Sequence, residues 1–69
     1  MKHVRSNLKQ MADSRGIKIR QLARDIDYRY ETVRQMYNDD LKQFPRDLLD
    51  KLCDYFDCDI NELLILVEE

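Results

Sequence analysis

The chain has 69 residues, a formal net charge of −2, and one Gly and one Pro. That length holds one domain, residues 1–69, with a small core, and the scarcity of turn residues excludes a fold of many short strands. No apolar run approaches the ~18 residues of a membrane span.

Met1-Lys2-His3-Val4-Arg5 has no apolar segment of the kind an export signal needs. With only two cysteines, the chain reads as cytoplasmic. In chain order, Val4, Leu8, Met11 and Ala12 fall at helical spacing and predict a first helix. Ser14 and Arg15 close it, and Gly16 stands where a left-handed cap belongs. Leu22, Ala23 and Ile26 make the apolar side of a second helix, and Val33, Met36 and Tyr37 that of a third. Between them lie only Asp27, Tyr28 and Arg29, so the turn is tight, and Asp27 suits the positive φ of such a turn. Asn38-Asp39-Asp40 breaks the third helix. Leu41 and Phe44 anchor a loop, and Pro45 suits the first turn of a fourth helix with the stripe Leu48, Leu49, Leu52, Cys53, Phe56. Asp59 and Glu62 have capping-box spacing. A fifth helix is expected to run through Leu63, Leu64 and Val67, although the apolar length of that segment suits a strand equally. The fold class is therefore all-α, with five short helices.

Charge is unevenly divided. Residues 1–38 carry nine Lys/Arg against four Asp/Glu, and residues 39–69 carry three against ten. A basic half can meet a polyanion while an acidic half faces away. Asp47, Asp50, Asp54 and Asp57 share one face of the fourth helix and read as a solvated face or a site for a basic partner protein. Cys53 and Cys58 lack the spacing and further ligands of a zinc site and read as free thiols. No cofactor, metal set or nucleophile–base pair is indicated, so an enzyme is not expected.

Residues 19–38 carry the functional pattern. Leu22, Ile26, Tyr28, Val33 and Met36 are apolar, and the small Ala23 stands where two helices must cross closely. A helix-turn-helix requires that arrangement. Ile17-Lys18-Ile19-Arg20-Gln21-Leu22-Ala23-Arg24 resembles the first motif helix of the Cro/CI-type, lambda-repressor-like regulators (the XRE family). Residues 30–38, from Tyr30 to Asn38, resemble that family's recognition helix. Leu49 to Cys53 and Cys58 to Leu64 resemble its tail. Four positions depart from the usual pattern: Asp27 replaces the turn Gly, Ile19 replaces a phosphate-touching Gln, and Lys18 and Arg29 replace Ser or Thr caps.

The resemblance implies a five-helix DNA-binding domain whose recognition helix, about residues 29–38, lies in the major groove of double-stranded DNA. It implies base contacts from Arg29, Tyr30, Glu31, Arg34 and Gln35, with phosphate contacts from Lys18, Arg20, Asn38 and Lys42. Ile65 and Leu66 exceed what a small core requires and are expected at a homodimer interface. The rival reading is a protein-binding module of the same fold, antitoxin-like or inhibitor-like. It draws on Glu31, Ile19 and the acidic C-terminal half.

Overall fold

The computed structural model describes residues 1–68. Five helices and two strands follow in the order β1 (Lys2–Ser6), α1 (Leu8–Ser14), α2 (Ile19–Asp25), α3 (Tyr30–Tyr37), α4 (Arg46–Phe56), α5 (Ile60–Leu63), β2 (Leu64–Glu68). The apolar stripes converge on one buried cluster: Leu8, Ala12, Leu22, Ala23, Ile26, Val33, Met36, Leu48, Leu52, Phe56 and Leu63. Each is the inward member of a 3.6-residue repeat, so burying them brings all five helices together. Pro45 stands one position outside α4 as its N-cap, and Asp59 and Glu62 form the expected capping box on α5.

The N-terminus differs from the sequence expectation, and the C-terminal segment takes the strand alternative left open for it. Val4 does not open a helix. It lies on β1, half exposed, and pairs with Leu66 across an antiparallel ladder running from Lys2↔Glu68 to Ser6↔Leu64. α1 starts only at Leu8, because the Ser6 hydroxyl accepts the Leu8 N–H at 3.2 Å and fixes the helix entry there. α5 likewise stops at Leu63 instead of running on to Val67. Leu64 is already extended, and the backbone groups of its segment that face β1 are paired there. The five helices of the all-α expectation are thus joined by a two-stranded ribbon, of which the expectation held only the C-terminal strand, as an alternative.

Helices α1 to α4 all stop in the same way. Gly16, Asp27, Asp39 and Asp57 take positive φ of 66°, 55°, 61° and 52°. The next N–H reaches back to a carbonyl in the last turn each time: Ile17 to Ala12, Tyr28 to Ala23, Asp40 to Gln35, and Cys58 to Cys53, at 2.8–3.0 Å. These are Schellman closures, three of them built on Asp where Gly is the usual choice. Asp39 has a second task, because its Oδ1 accepts the Ser6 N–H at 2.9 Å and ties β1 to the end of α3. Asp27 and Asp57 are exposed. Asp27→Gly and Asp57→Gly are therefore expected to raise stability by about 0.5–1 kcal/mol each by relieving a left-handed non-glycine residue. Asp39→Gly should lower it, because a half-buried N–H loses its acceptor. Thermal melts of the three variants check this, and equal shifts at all three positions would contradict it.

The closure at Asp57 also brings Cys53 and Cys58 together. Burial pushes the Cys58 thiol up to about 11, and the neighbouring Cys53 adds to the effect. At neutral pH Cys58 is a protonated packing group.

Candidate nucleic-acid interface

Among the helices, α2 makes its main packing contact with α3. Leu22, Ala23 and Ile26 of the α2 segment meet the core beside Val33 and Met36 of α3. Only residues 26–29 separate the helices. Asp27 supplies the reversal that the resemblance assigns to a Gly. The N-caps of the two helices are Lys18 and Arg29, neither of which makes a side-chain capping bond. Their cationic heads are exposed.

Polar ties fix this pair from behind. The Tyr28 hydroxyl donates to Asp47 Oδ1 at 3.0 Å, joining the turn to α4. Tyr37 donates to Asp13 at 2.7 Å, joining α3 to α1. Tyr55 donates to Asp25 at 3.0 Å, joining α4 to α2. Lys51 Nζ donates to the Ile26 carbonyl at 3.0 Å, occupying a backbone acceptor at the end of α2. Asp47 is thus a bonded group as well as a surface charge, since it also accepts the Leu48 N–H.

The three tyrosines have raised pKa values. For Tyr28 the first cause is burial and then the bond to Asp47. For Tyr37 and Tyr55 it is the bond to the carboxylate, then burial. A hydroxyl whose folded pKa lies above its ordinary value of 10.0 contributes stability that is complete below that value and is lost as pH climbs through the folded one. Urea unfolding is accordingly expected to give a lower midpoint at pH 11 than at pH 8. The pH-dependent part of that fall should shrink in Tyr55→Phe and in Tyr37→Phe.

The opposite side of α3 is open. Val33 and Met36 are buried, so residues half a turn away face outward. Glu31 and Asn38 are exposed there, with Arg34 and Gln35 half-buried beside them and Arg29 exposed at the N-cap. Tyr30 differs, since it is half-buried against the core and the Arg20 guanidinium sits 4.6 Å over its ring. Tyr30 and Arg20 therefore form one stacked unit on the flank of the pair. Lys18 is exposed at the start of α2, and Lys42 is exposed in the loop after α3.

Arg34 and Glu31 pair with each other along α3. Arg34 Nε donates to Glu31 Oε2 at 3.2 Å and Nη2 donates to Oε1. These bonds hold the Glu31 carboxyl below its usual range, and they raise Arg34 further. The spacing of three residues was a readable signal for this pair. No local signal announced the Tyr–Asp ties, whose partners lie 19 to 30 residues apart. The same holds for the open groove between β1–α1 and the end of α3, where Arg5, Lys9, Gln10, Tyr37 and Asn38 meet. Lys9 lies 5.9 Å from the centre of the Tyr37 ring in that groove.

Two short helices crossing through a left-handed Asp turn, with the second open to solvent, define a helix-turn-helix. The class is that of DNA-binding domains. Residues 7–69 match the Cro/C1-type HTH DNA-binding domain, and the chain belongs to that family. No curated protein and no solved structure matches it. Among the described residues no helix is long and apolar enough to cross a membrane.

Proposed function

We propose that this chain is a sequence-specific transcriptional regulator, a repressor that occupies an operator overlapping a promoter. It acts in the cytoplasm as a single domain over residues 1–69. The observation that carries this reading is the outer side of α3. It offers Glu31, Arg34, Gln35 and Asn38, and the N-caps of α2 and α3 are both exposed cations. Arg reads guanine and Gln reads adenine with two bonds each. Arg29 completes the base-facing set, Tyr30 stacks with Arg20 at its flank, and Lys18, Arg20, Asn38 and Lys42 hold phosphates. None of these contacts requires catalysis or a cofactor.

The regulator works as a homodimer, because two recognition helices are needed to read two half-sites about one helical turn apart. The terminal ribbon supports that state. Leu66 is 61% exposed and Val4, directly opposite, is 50% exposed. β1 bears Lys2, His3 and Arg5, whereas β2 is uncharged from Leu64 to Val67. Charged edges resist strand pairing and uncharged ones invite it, so the dimer forms along β2 through Ile65 and Leu66.

The test is selection from a pool of random duplexes at several salt concentrations. A regulator yields a symmetric motif, and its affinity falls steeply as salt rises. If no sequence is enriched even at low salt, the DNA reading fails. The protein-binding rival rests on Glu31, an acid on the side that would meet phosphates. It gains if Asp50→Ala disrupts partner capture while duplex binding stays absent.

A further inference from the structure

Glu31 looks misplaced on a surface meant for a polyanion, and its pairing with Arg34 supplies a use for it. A guanidinium carries five N–H donors in a planar fork. Glu31 takes the side edge, the Nε–H and one Nη2–H. The end edge, made by Nη1 and the second Nη2 hydrogen, is left intact. That edge presents two parallel donors, the arrangement that matches O6 and N7 of guanine. The pair stands on the outer side of α3, with side chains 40% and 53% exposed, so the end edge is accessible to a ligand.

We propose that Glu31 is a positioning residue: it grips the side edge of Arg34 and aims the end edge at one guanine. This deepens the DNA-binding reading and rests on it. A free arginine on a short helix swings among rotamers and takes any phosphate within reach, which adds affinity without sequence information. The grip removes that freedom. It also pairs the carboxylate with a cation, so the acid meets the phosphate backbone as half of a neutral pair. Glu31 itself contacts no base. Each of its two oxygens accepts one bond from Arg34, so in this arrangement the carboxylate serves to hold the guanidinium.

The test is a double-mutant cycle read by selection from random duplexes, with Glu31→Gln, Arg34→Ala and the double variant beside the unaltered chain. Glutamine cannot accept both guanidinium bonds through oxygen. In Glu31→Gln the preference for guanine at one position of each half-site is expected to fall roughly tenfold, within the discrimination of a two-bond contact. The salt dependence should steepen by about one phosphate contact as Arg34 is released. A merely structural role for Glu31 would not move the guanine preference. In the Arg34→Ala background, Glu31→Gln should leave the base preference unchanged.

If Glu31→Gln alters the preference equally in both backgrounds, Glu31 reads a base directly and the positioning role is overturned. It is also overturned if Glu31→Gln leaves preference and salt slope as they were. Failure of the unaltered chain to enrich any motif would instead sink the DNA-binding reading, and this inference with it. Both side chains face solvent, so thermal melts of all variants should match the parent within a few degrees.

Discussion

Leu66→Lys is expected to turn the proposed dimer into a monomer and to lower affinity for a two-half-site operator by roughly 100-fold or more. The size follows from linkage of two binding events. When one subunit is bound, a tethered second one meets its half-site at an effective concentration near millimolar, which multiplies affinity by about 10²–10⁴. A monomer loses that factor and keeps only its single-site affinity. Leu66 suits the experiment because its side chain is largely exposed and makes no part of the helical core. A lysine there costs the isolated fold little. At the centre of an uncharged edge strand it places two like charges where two copies would meet, the device by which natural sheet edges stay unpaired. Sedimentation should give about half the parent mass, and affinity for a single half-site should stay within about twofold to threefold. A variant that remains dimeric would place the interface elsewhere. Ile65→Lys is a weaker probe, because Ile65 is half-buried and its loss would also disturb the ribbon.

The ribbon is also where the sequence was least legible. Val4 stands four residues before Leu8, so it fitted the first helix by spacing alone. Five residues of strand carry too short an alternation to outweigh that fit. The partner that makes β1 a strand lies more than 50 residues away, and pairing at that distance leaves no local trace. Residues 64–67 were ambiguous for the same reason: a short apolar run suits either element, and only β1 decides it. The helix-turn-helix was legible because its constraints are local. Ala23 at the crossing, Asp27 in the turn, and the stripe Leu22, Ile26, Val33, Met36 all lie within 14 residues of one another, and each appears in the structure as expected. The candidate interface falls between these cases. Its outward residues follow from the buried ones, but the coupling of Arg20 to Tyr30 joins two different helices, and no periodicity predicts it.

Phe56→Ala is expected to abolish stable folding near 37 °C. Phe56 is 1% exposed at the end of α4 and is the largest fully buried side chain. Truncating a buried Phe to Ala costs about 3–5 kcal/mol, from lost transfer energy and the cavity left behind. A domain of this length has a total stability of about 3–10 kcal/mol at typical values per residue. The substitution therefore removes a large share of the total. Two further contacts go with the ring or depend on its position. The Arg15 guanidinium lies 5.0 Å over it, and Arg15 Nη2 donates to the Phe56 carbonyl at 3.0 Å. Those contacts tie the end of α1 to the end of α4, so the loss should spread to the first helix. The mean helical signal by circular dichroism should drop at 37 °C, and Tm should fall by at least about 12 °C. Phe56→Leu retains most of the buried volume and should stay folded with a smaller fall. Arg15→Ala removes only the stacked cation and one charge-assisted bond, and should cost about 1–3 kcal/mol. If Phe56→Ala melted within a few degrees of the parent, Phe56 could not be the central filler of the core.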